Sequence, residues 1–279
     1  MRKKKESLRA SILESLKNRS KSRPRPTDKP DRPEGTLIAS YNVHKCVGAD
    51  RRFDPERTSR VIHEIDADVI GLQEADSRFG ERTGLLDLRR LERETGLIPV
   101  PIAGTRKAHG WHGNVVLFKQ GTVRDVHQIK LPGLEPRGAL IAEIELARGG
   151  SIRIIAAHLG LLHRSRAQQT RLIVDLMNNG GEMPTILLGD LNEWRLGDRS
   201  SLNTFQNAFG PLPPAVPSFP STLPLLALDR IMANRRGMIS AVEVHDSPLA
   251  RVASDHLPIK AVISLGSYGA EAEAQSQTA

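Results

Sequence analysis

An α/β fold with mixed β-sheets is predicted by three features of the sequence. Apolar runs of strand length alternate with stretches of helical period, beginning with Thr36–Val43, a helix from Asp54-Pro55, and Asp68–Gln73. Two neighbouring segments, Val123–Leu131 and Ala139–Leu146, alternate apolar and polar residues as half-buried antiparallel strands do. Polar side chains recur where the apolar runs stop, so chemistry is presented at strand ends.

Composition sets the outer bounds. The 279 residues suffice for one large domain or two small ones, and 39% apolar residues is ordinary for a globular chain. No apolar run is long enough to span a membrane. A single cysteine, Cys46, excludes an intrachain disulfide and fits a reducing, cytoplasmic compartment. The net charge of +8 is localised: residues 1–32 carry twelve Lys/Arg against four acids, and the remainder is formally neutral. The high pI therefore belongs to an arm and does not mark the body as a cationic nucleic-acid binder. In that arm Leu8, Ile12, Leu13 and Leu16 share one face of a short helix, and Lys21–Pro33 reads as a Pro-rich, disordered linker. Contact with anionic lipid or nucleic acid, hence a membrane-peripheral location, is the functional reading; a solvated arm is the plainer one. The expected organisation is an arm at 1–34, one domain at 35–265, and a polar, disordered tail at 266–279.

The elements follow in order. Thr36–Val43 is a strand ending in Asn42. Asp54 caps a helix with Pro55 at its first position, burying Val61, Ile62 and Ile65. Asp68–Gln73 is a strand closed by Glu74. Leu85–Glu94 reads as a helix and Leu97–Ile102 as a strand. A polar loop with Asn114 leads into the strand Val115–Phe118; Arg137 lies between the two alternating strands and is available to an anionic substrate. Ser151–Leu159 carries His158 near its end, and Arg164–Asn178 follows as a helix with Leu172, Ile173, Leu176 and Met177 inward. Thr185–Leu188 is a short buried strand stopping at Gly189, after which Asp190 and Asn192 face one way at a period of two. Asp198–Phe209 looks like a capped helix, and Pro211–Pro224 is a loop with six prolines. Strands at Leu228–Met232, Ala241–His245 and Leu257–Ser264 complete the set, with Asp229, Asp255 and His256 at their starts.

Each of these polar residues has a bland reading as a turn former or cap. Eight of them at the ends of successive strands (Asn42, Glu74, His158, Asp190, Asn192, Asp229, Asp255, His256) are hard to explain as solvated surface. Their oxygens suit Mg²⁺ or Mn²⁺ with water left in place, and no Cys/His spacing resembles a zinc site. An Asp beside a His can fix its tautomer and raise its basicity. No Gly-rich phosphate loop or nucleophile elbow is present, so water is the expected nucleophile.

Tyr41-Asn42, Leu72-Gln-Glu-Ala75, Ala157-His-Leu159, Gly189-Asp-Leu-Asn192, Leu228-Asp-Arg-Ile231 and Ser254-Asp-His-Leu-Pro258 resemble, in order, the motif series of the endonuclease/exonuclease/phosphatase superfamily. The resemblance covers roughly residues 35–265. It implies a DNase-I-like, four-layer α/β sandwich of two packed sheets flanked by helices. It also implies Mg²⁺-dependent (or Mn²⁺-dependent) hydrolysis of a phosphate ester by activated water. Carried over, Glu74 is the principal metal ligand, helped by Asn42, and Asp255 is a second ligand or holds metal-bound water. Asp229 orients His256, the general base; Asp190 positions the water; Asn192 holds a phosphate oxygen; His158 stabilises the pentavalent phosphate or protonates the leaving oxygen. Asn114 and Arg137 are substrate-contact candidates.

The neutral body and 4% aromatic content depart from the DNA-processing branches. The Asn-Val-His-Lys, Glu-Pro-Arg-Gly and His-Leu-Gly-Leu wording is closer to small bacterial members, some linked to lipid phosphodiesters. The expected partner is a phosphodiester, nucleic acid or phospholipid-like, with no obligate protein partner. The reading of another class is a binding module without turnover. Glu74→Ala or His256→Ala separates the two, since a binding module keeps its affinity.

Overall fold

The structure, a computed structural model, describes residues 35–264 apart from 79, 105–106, 148–149, 179–180 and 196. The arm and tail expected from the sequence lie outside the described residues.

In chain order the elements are β1 (Thr36–Asn42), α1 (Pro55–Ile65), β2 (Val69–Gln73), α2 (Leu88–Thr95), β3 (Ile98–Pro99), β4 (Val115–Phe118), β5 (Gly121–Lys130) and β6 (Gly138–Leu146). Then come β7 (Gly150–His158), α3 (His163–Asn178), β8 (Thr185–Asp190), α4 (Gln206–Phe209), β9 (Asp229–Ala233), β10 (Glu243–Val244), α5 (Ala250–Ala253) and β11 (Ile259–Ile263). One sheet has the order β10-β11-β1-β2-β4-β3 and the other β5-β6-β7-β8-β9. Both are mixed: β1–β2 and β7–β8 run parallel, and the other pairings are antiparallel.

The period of two sorts each strand's side chains between layers. One apolar cluster takes Ile38, Val69 and Val116 from the first sheet and Ile154, Ala156, Ile186, Leu188 and Ile231 from the second, so it lies between the sheets. The alternate residues Ala39, Tyr41, Ile70 and Leu72 pack outward against Val61, Ile62 and Ile65 of α1. On the far side Ile155, Leu187 and Met232 meet Ile173, Val174 and Met177 of α3. Three cores separate four layers, the predicted sandwich. A glycine in each sheet permits close approach: a Cβ on Gly71 would lie 2.0 Å from Leu188, and one on Gly189 1.8 Å from the Ala157 carbonyl oxygen.

Most boundaries follow the sequence signals, and the departures have local causes. Asp54 accepts the Arg57 N–H at 2.9 Å with Pro55 behind it, as expected of that cap. The next helix starts later than Leu85 because Asp87 caps it, accepting the Arg90 N–H at 3.0 Å. The strand expected over Leu97–Ile102 shortens to two residues, since Pro99 and Pro101 have no N–H for a ladder. The helix expected over Asp198–Phe209 is a 3₁₀ turn at Gly197–Arg199, another at Ser201–Phe205, and the single turn α4. There Ser200 bonds the Leu202 N–H and Ser201 bonds Glu193, so side chains compete with the helical ladder. In α3, Ile173 and Met177 are buried as expected, while Leu172 and Leu176 flank the core half-buried.

Candidate active site

The strands that build the inter-sheet core also carry the polar cluster. Continuing inward from Ile38 along β1 gives Asn42; from Ile154 and Ala156 along β7, His158; from Ile186 and Leu188 along β8, Asp190. Moving back from Ile231 along β9 reaches Asp229. The register sets His158 beside Asp190 and Asp190 beside Asp229. The Asn42 Nδ2–H donates to Asp190 Oδ2 at 2.9 Å, tying the two sheets together at this end.

His256 lies just before β11, and its Nδ1 stands 2.8 Å from Asp229 Oδ2. Its Nε2 faces Asp190 Oδ2 at 3.7 Å, and His158 Nε2 approaches the same oxygen at 3.4 Å. Burial disfavours a charged His256, but Asp229 and Asp190 outweigh it and push the imidazole up to about 10. Burial pushes the Asp190 carboxyl up to about 6. Burial and then the Arg137 guanidinium hold His158 well below the usual imidazole range, so it stays neutral. Asn192 adopts φ +51°, gives its N–H to Asp190 Oδ1 at 3.0 Å and its Nδ2–H to the Leu159 carbonyl.

The cluster opens onto a pocket walled by Lys45, Arg78, Arg82 and Arg137, with Glu74 and Asp76 as its carboxylates. Four cations against two acids suit an anion. Arg137 Nη1 lies 2.9 Å from the His158 ring nitrogens, and Glu135 Oε2 steadies its guanidinium at 2.7 Å. Arg82 pairs with Asp76 at 2.6 Å. Glu74, at φ +53°, forms an ion pair with Lys45. Burial alone would raise the Glu74 carboxyl, but Lys45 outweighs it and holds it below the usual carboxylate range. Asp255 is half-exposed, with His44 Nδ1 3.5 Å away.

Of the residues singled out from sequence, Asn42, His158, Asp190, Asn192, Asp229 and His256 are joined in one buried network. Glu74 and Arg137 border the pocket that His158 also lines. Asn114 stands apart from the pocket lining: it is fully buried, and its amide N–H groups bond the carbonyls of Trp111 and Gly138. Cys46 is buried, and burial pushes its thiol up to about 11, away from the reactive thiolate.

Sequence reasoning missed Lys45, Asp76, Arg82, Ser218 and Phe219. Lys45 is aimed by three successive left-handed residues, His44, Lys45 and Cys46, at φ 44°, 56° and 58°. Such backbone is costly for non-glycine residues and collects at functional sites, yet no composition signal announces it. Ser218 donates to Asp229 Oδ2, and the Phe219 ring centroid lies 4.9 Å from that of His256.

The donor set can be matched to the implied metal. Among the described residues no three His, Cys, Asp or Glu side chains converge as a ready-made cluster. Glu74, the Asn42 amide oxygen and Asp255 are hard oxygens, the kind Mg²⁺ takes one or two of while keeping several waters. Their chemistry fits such a group; Glu74 is paired with Lys45, and the Asn42 oxygen accepts the His44 N–H at 3.0 Å.

Comparisons with known proteins follow this geometry. Solved structures with the same architecture include an endonuclease/exonuclease/phosphatase from Beutenbergia cavernae, 22% identical, with a TM-score of 0.61, over 83% of this chain and 72% of that one. A mannosyl-6-phosphatase from Bacteroides thetaiotaomicron is 16% identical, TM-score 0.61, over 81% and 98%. D. rerio TDP2 complexed with a single-strand DNA product is 16% identical, TM-score 0.58, over 82% and 98%. These likenesses concern the fold. No curated protein sequence matches significantly. The model of the Endonuclease/Exonuclease/phosphatase family matches residues 39–256, most of the domain and every motif from Tyr41 to His256. With its strands, its buried His–Asp network and that match in agreement, the chain belongs to the endonuclease/exonuclease/phosphatase family.

Proposed function

We propose that the protein is a divalent-metal-dependent phosphoesterase that cleaves a phosphodiester with water as the nucleophile. The observation that carries this reading is the His256–Asp229 pair at 2.8 Å, buried, with its free imidazole edge turned to Asp190 beside a cationic pocket.

Asp229 accepts the Nδ1–H of His256 and fixes the ring so that Nε2 faces Asp190. Ser218 donates to the same carboxylate and limits its rotation. With His256 charged and Asp190 raised, these two groups 3.7 Å apart influence each other and titrate as a unit. The base that activates water is then the Asp190–His256–Asp229 chain, rather than His256 alone. Asn42 and the Asn192 N–H anchor both oxygens of Asp190. Neutral His158 and Arg137 line the adjoining pocket and are available to charge growing on the phosphoryl and leaving oxygens. A bound Mg²⁺ or Mn²⁺ would neutralise phosphoryl charge from Glu74, Asn42 and Asp255. The sugar phosphatase and DNA-product neighbours support phosphate-ester chemistry on this framework.

The test is hydrolysis of bis-p-nitrophenyl phosphate with Mg²⁺, Mn²⁺ or EDTA. Chelation should abolish turnover, and His256→Ala should lower it by about 10²–10⁴-fold. Full activity in EDTA, or in the variant, would refute the reading.

A further inference from the structure

Among the described residues, every large hydrophobic side chain that stands exposed lies at the end of the sandwich that holds the site. Phe53 is in the segment after β1, Leu134 in the β5–β6 turn, Leu161 and Leu162 after β7, and Trp194 after β8. Leu223, Leu225 and Leu226 precede β9, and Val252 precedes β11. The register places all these loops at one end, because Asn42, His158 and Asp190 finish their strands there and Asp229 starts its own. Scattered single leucines need no explanation, but segregation to one end does.

The apolar character is strongest beside the acid–base pair. Residues 211–228 contain no Asp, Glu, Lys, Arg or His, in a chain that is 26% charged. This segment is pinned to the site: Ser218 bonds Asp229, Leu257 N–H bonds the Ser218 carbonyl at 2.8 Å, and Ser221 N–H bonds the Asp255 carbonyl at 2.7 Å. A tight turn follows, with the Leu225 N–H on the Phe219 carbonyl at 2.8 Å. It leaves Leu223 and Leu225 about half exposed, at 50% and 49%. In the β5–β6 turn at the same end, Leu134 is 86% exposed.

Apolar tips on separate loops, at the same end of the sandwich as the pocket of Lys45, Arg82 and Arg137, match an interface that is apolar inside and anionic at its surface. A nucleic-acid track asks instead for cations and stacking rings along the groove, and residues 211–228 offer no cation. We infer that this end of the protein docks on a lipid bilayer and takes its phosphate ester as the headgroup of an amphiphile. The inference rests on the phosphoesterase reading for its chemistry, but its docking step can be measured alone.

The experiment is sedimentation of the full chain with vesicles of phosphatidylcholine doped with phosphatidylglycerol. Roughly 0.5 M NaCl screens charge beyond about 4 Å and so suppresses attraction by the basic arm. The wild type should sediment with the vesicles. Leu223→Ser/Leu225→Ser should partition about tenfold less, and Leu134→Ser about threefold less, from the apolar area withdrawn. Both variants should hydrolyse soluble bis-p-nitrophenyl phosphate at the wild-type rate. A wild type that stays in the supernatant, or variants that sediment like it, overturns the proposal; a protein partner would then be the better occupant. Vesicle binding without turnover of any soluble phosphate ester would instead sink the catalytic reading and leave the docking surface standing.

Discussion

Asp190 and Glu193 leave the same strand end three residues apart, and both are buried, at 2% and 1% exposure. Their surroundings differ in kind. Glu193 accepts from the Ser201 N–H at 2.9 Å, the Ser201 hydroxyl at 2.6 Å and the Arg195 N–H at 2.9 Å, and it pairs with buried Arg166 at 3.3 Å. Arg166 in turn donates to the Gly160 and Leu161 carbonyls and lies over the Trp194 ring. Burial would raise Glu193, but the Ser201 bonds, the Arg195 N–H and Arg166 outweigh it and hold the carboxyl below its usual range. Asp190 has two amide donors, and both imidazoles stand beyond hydrogen-bond length from it. Among the described residues, one buried oxygen of its neighbour Asp229 has no hydrogen-bond partner. Glu193, with four donors, is a brace held in its ionised form; Asp190, with fewer, is pushed toward its neutral form.

The largest expected effect separates the two through chemistry. Asp190→Asn keeps the shape and removes the charge. It should lower kcat/KM on bis-p-nitrophenyl phosphate by about 10³-fold, some 4 kcal/mol of barrier. Because burial already disfavours the ionised form, its Tm should hold or rise. Glu193→Gln should do the reverse. It leaves Arg166 buried beside a neutral amide and should cost about 3–5 kcal/mol of unfolding free energy in urea titrations. Turnover per folded molecule should stay within a few-fold. A stable, inactive Glu193→Gln protein would break the distinction.

A smaller effect sharpens it. The folded Glu193 carboxyl titrates below its unfolded value, so its stabilisation is complete above that value and disappears as the pH falls through the folded one. The stability gap between wild type and Glu193→Gln should therefore be constant near neutral pH and narrow below about pH 4. A gap that persists in acid would show that Gln perturbs packing rather than charge.

The same pair shows what was legible in the sequence. Asp190 closes an apolar strand, and so do Asn42 and His158; strand period then forces them inward, which is why the network was readable beforehand. The sheets and the amphipathic helix α1 were readable for the same reason. Glu193 follows Asn192 in an irregular segment, and its value depends on Arg166 from α3 and on a serine eight residues on. Lys45 depends on a left-handed turn, and Ser218 and Phe219 on a proline-rich loop. Those paths are set by tertiary contacts, so periodicity is blind to them. The broken helix over Asp198–Phe209 has that origin too, since Ser201 serves Glu193.

The bond from Asn42 to Asp190 joins residues 148 positions apart, and β1 lies between β2 and β11. This has a consequence in time. As the chain leaves the ribosome, the cationic pocket lined by Lys45, Glu74 and Arg137 is encoded early, whereas Asp229 and His256 are made near the end. The edge that seats His256 is completed only with Ile259–Ile263. A nascent chain, or a fragment cut before residue 256, holds Lys45, Glu74 and Arg137 without the buried His256–Asp229 pair. The buried His256–Asp229 pair can form only when synthesis of the domain is nearly finished, so its formation is a clock for the closing of the first sheet.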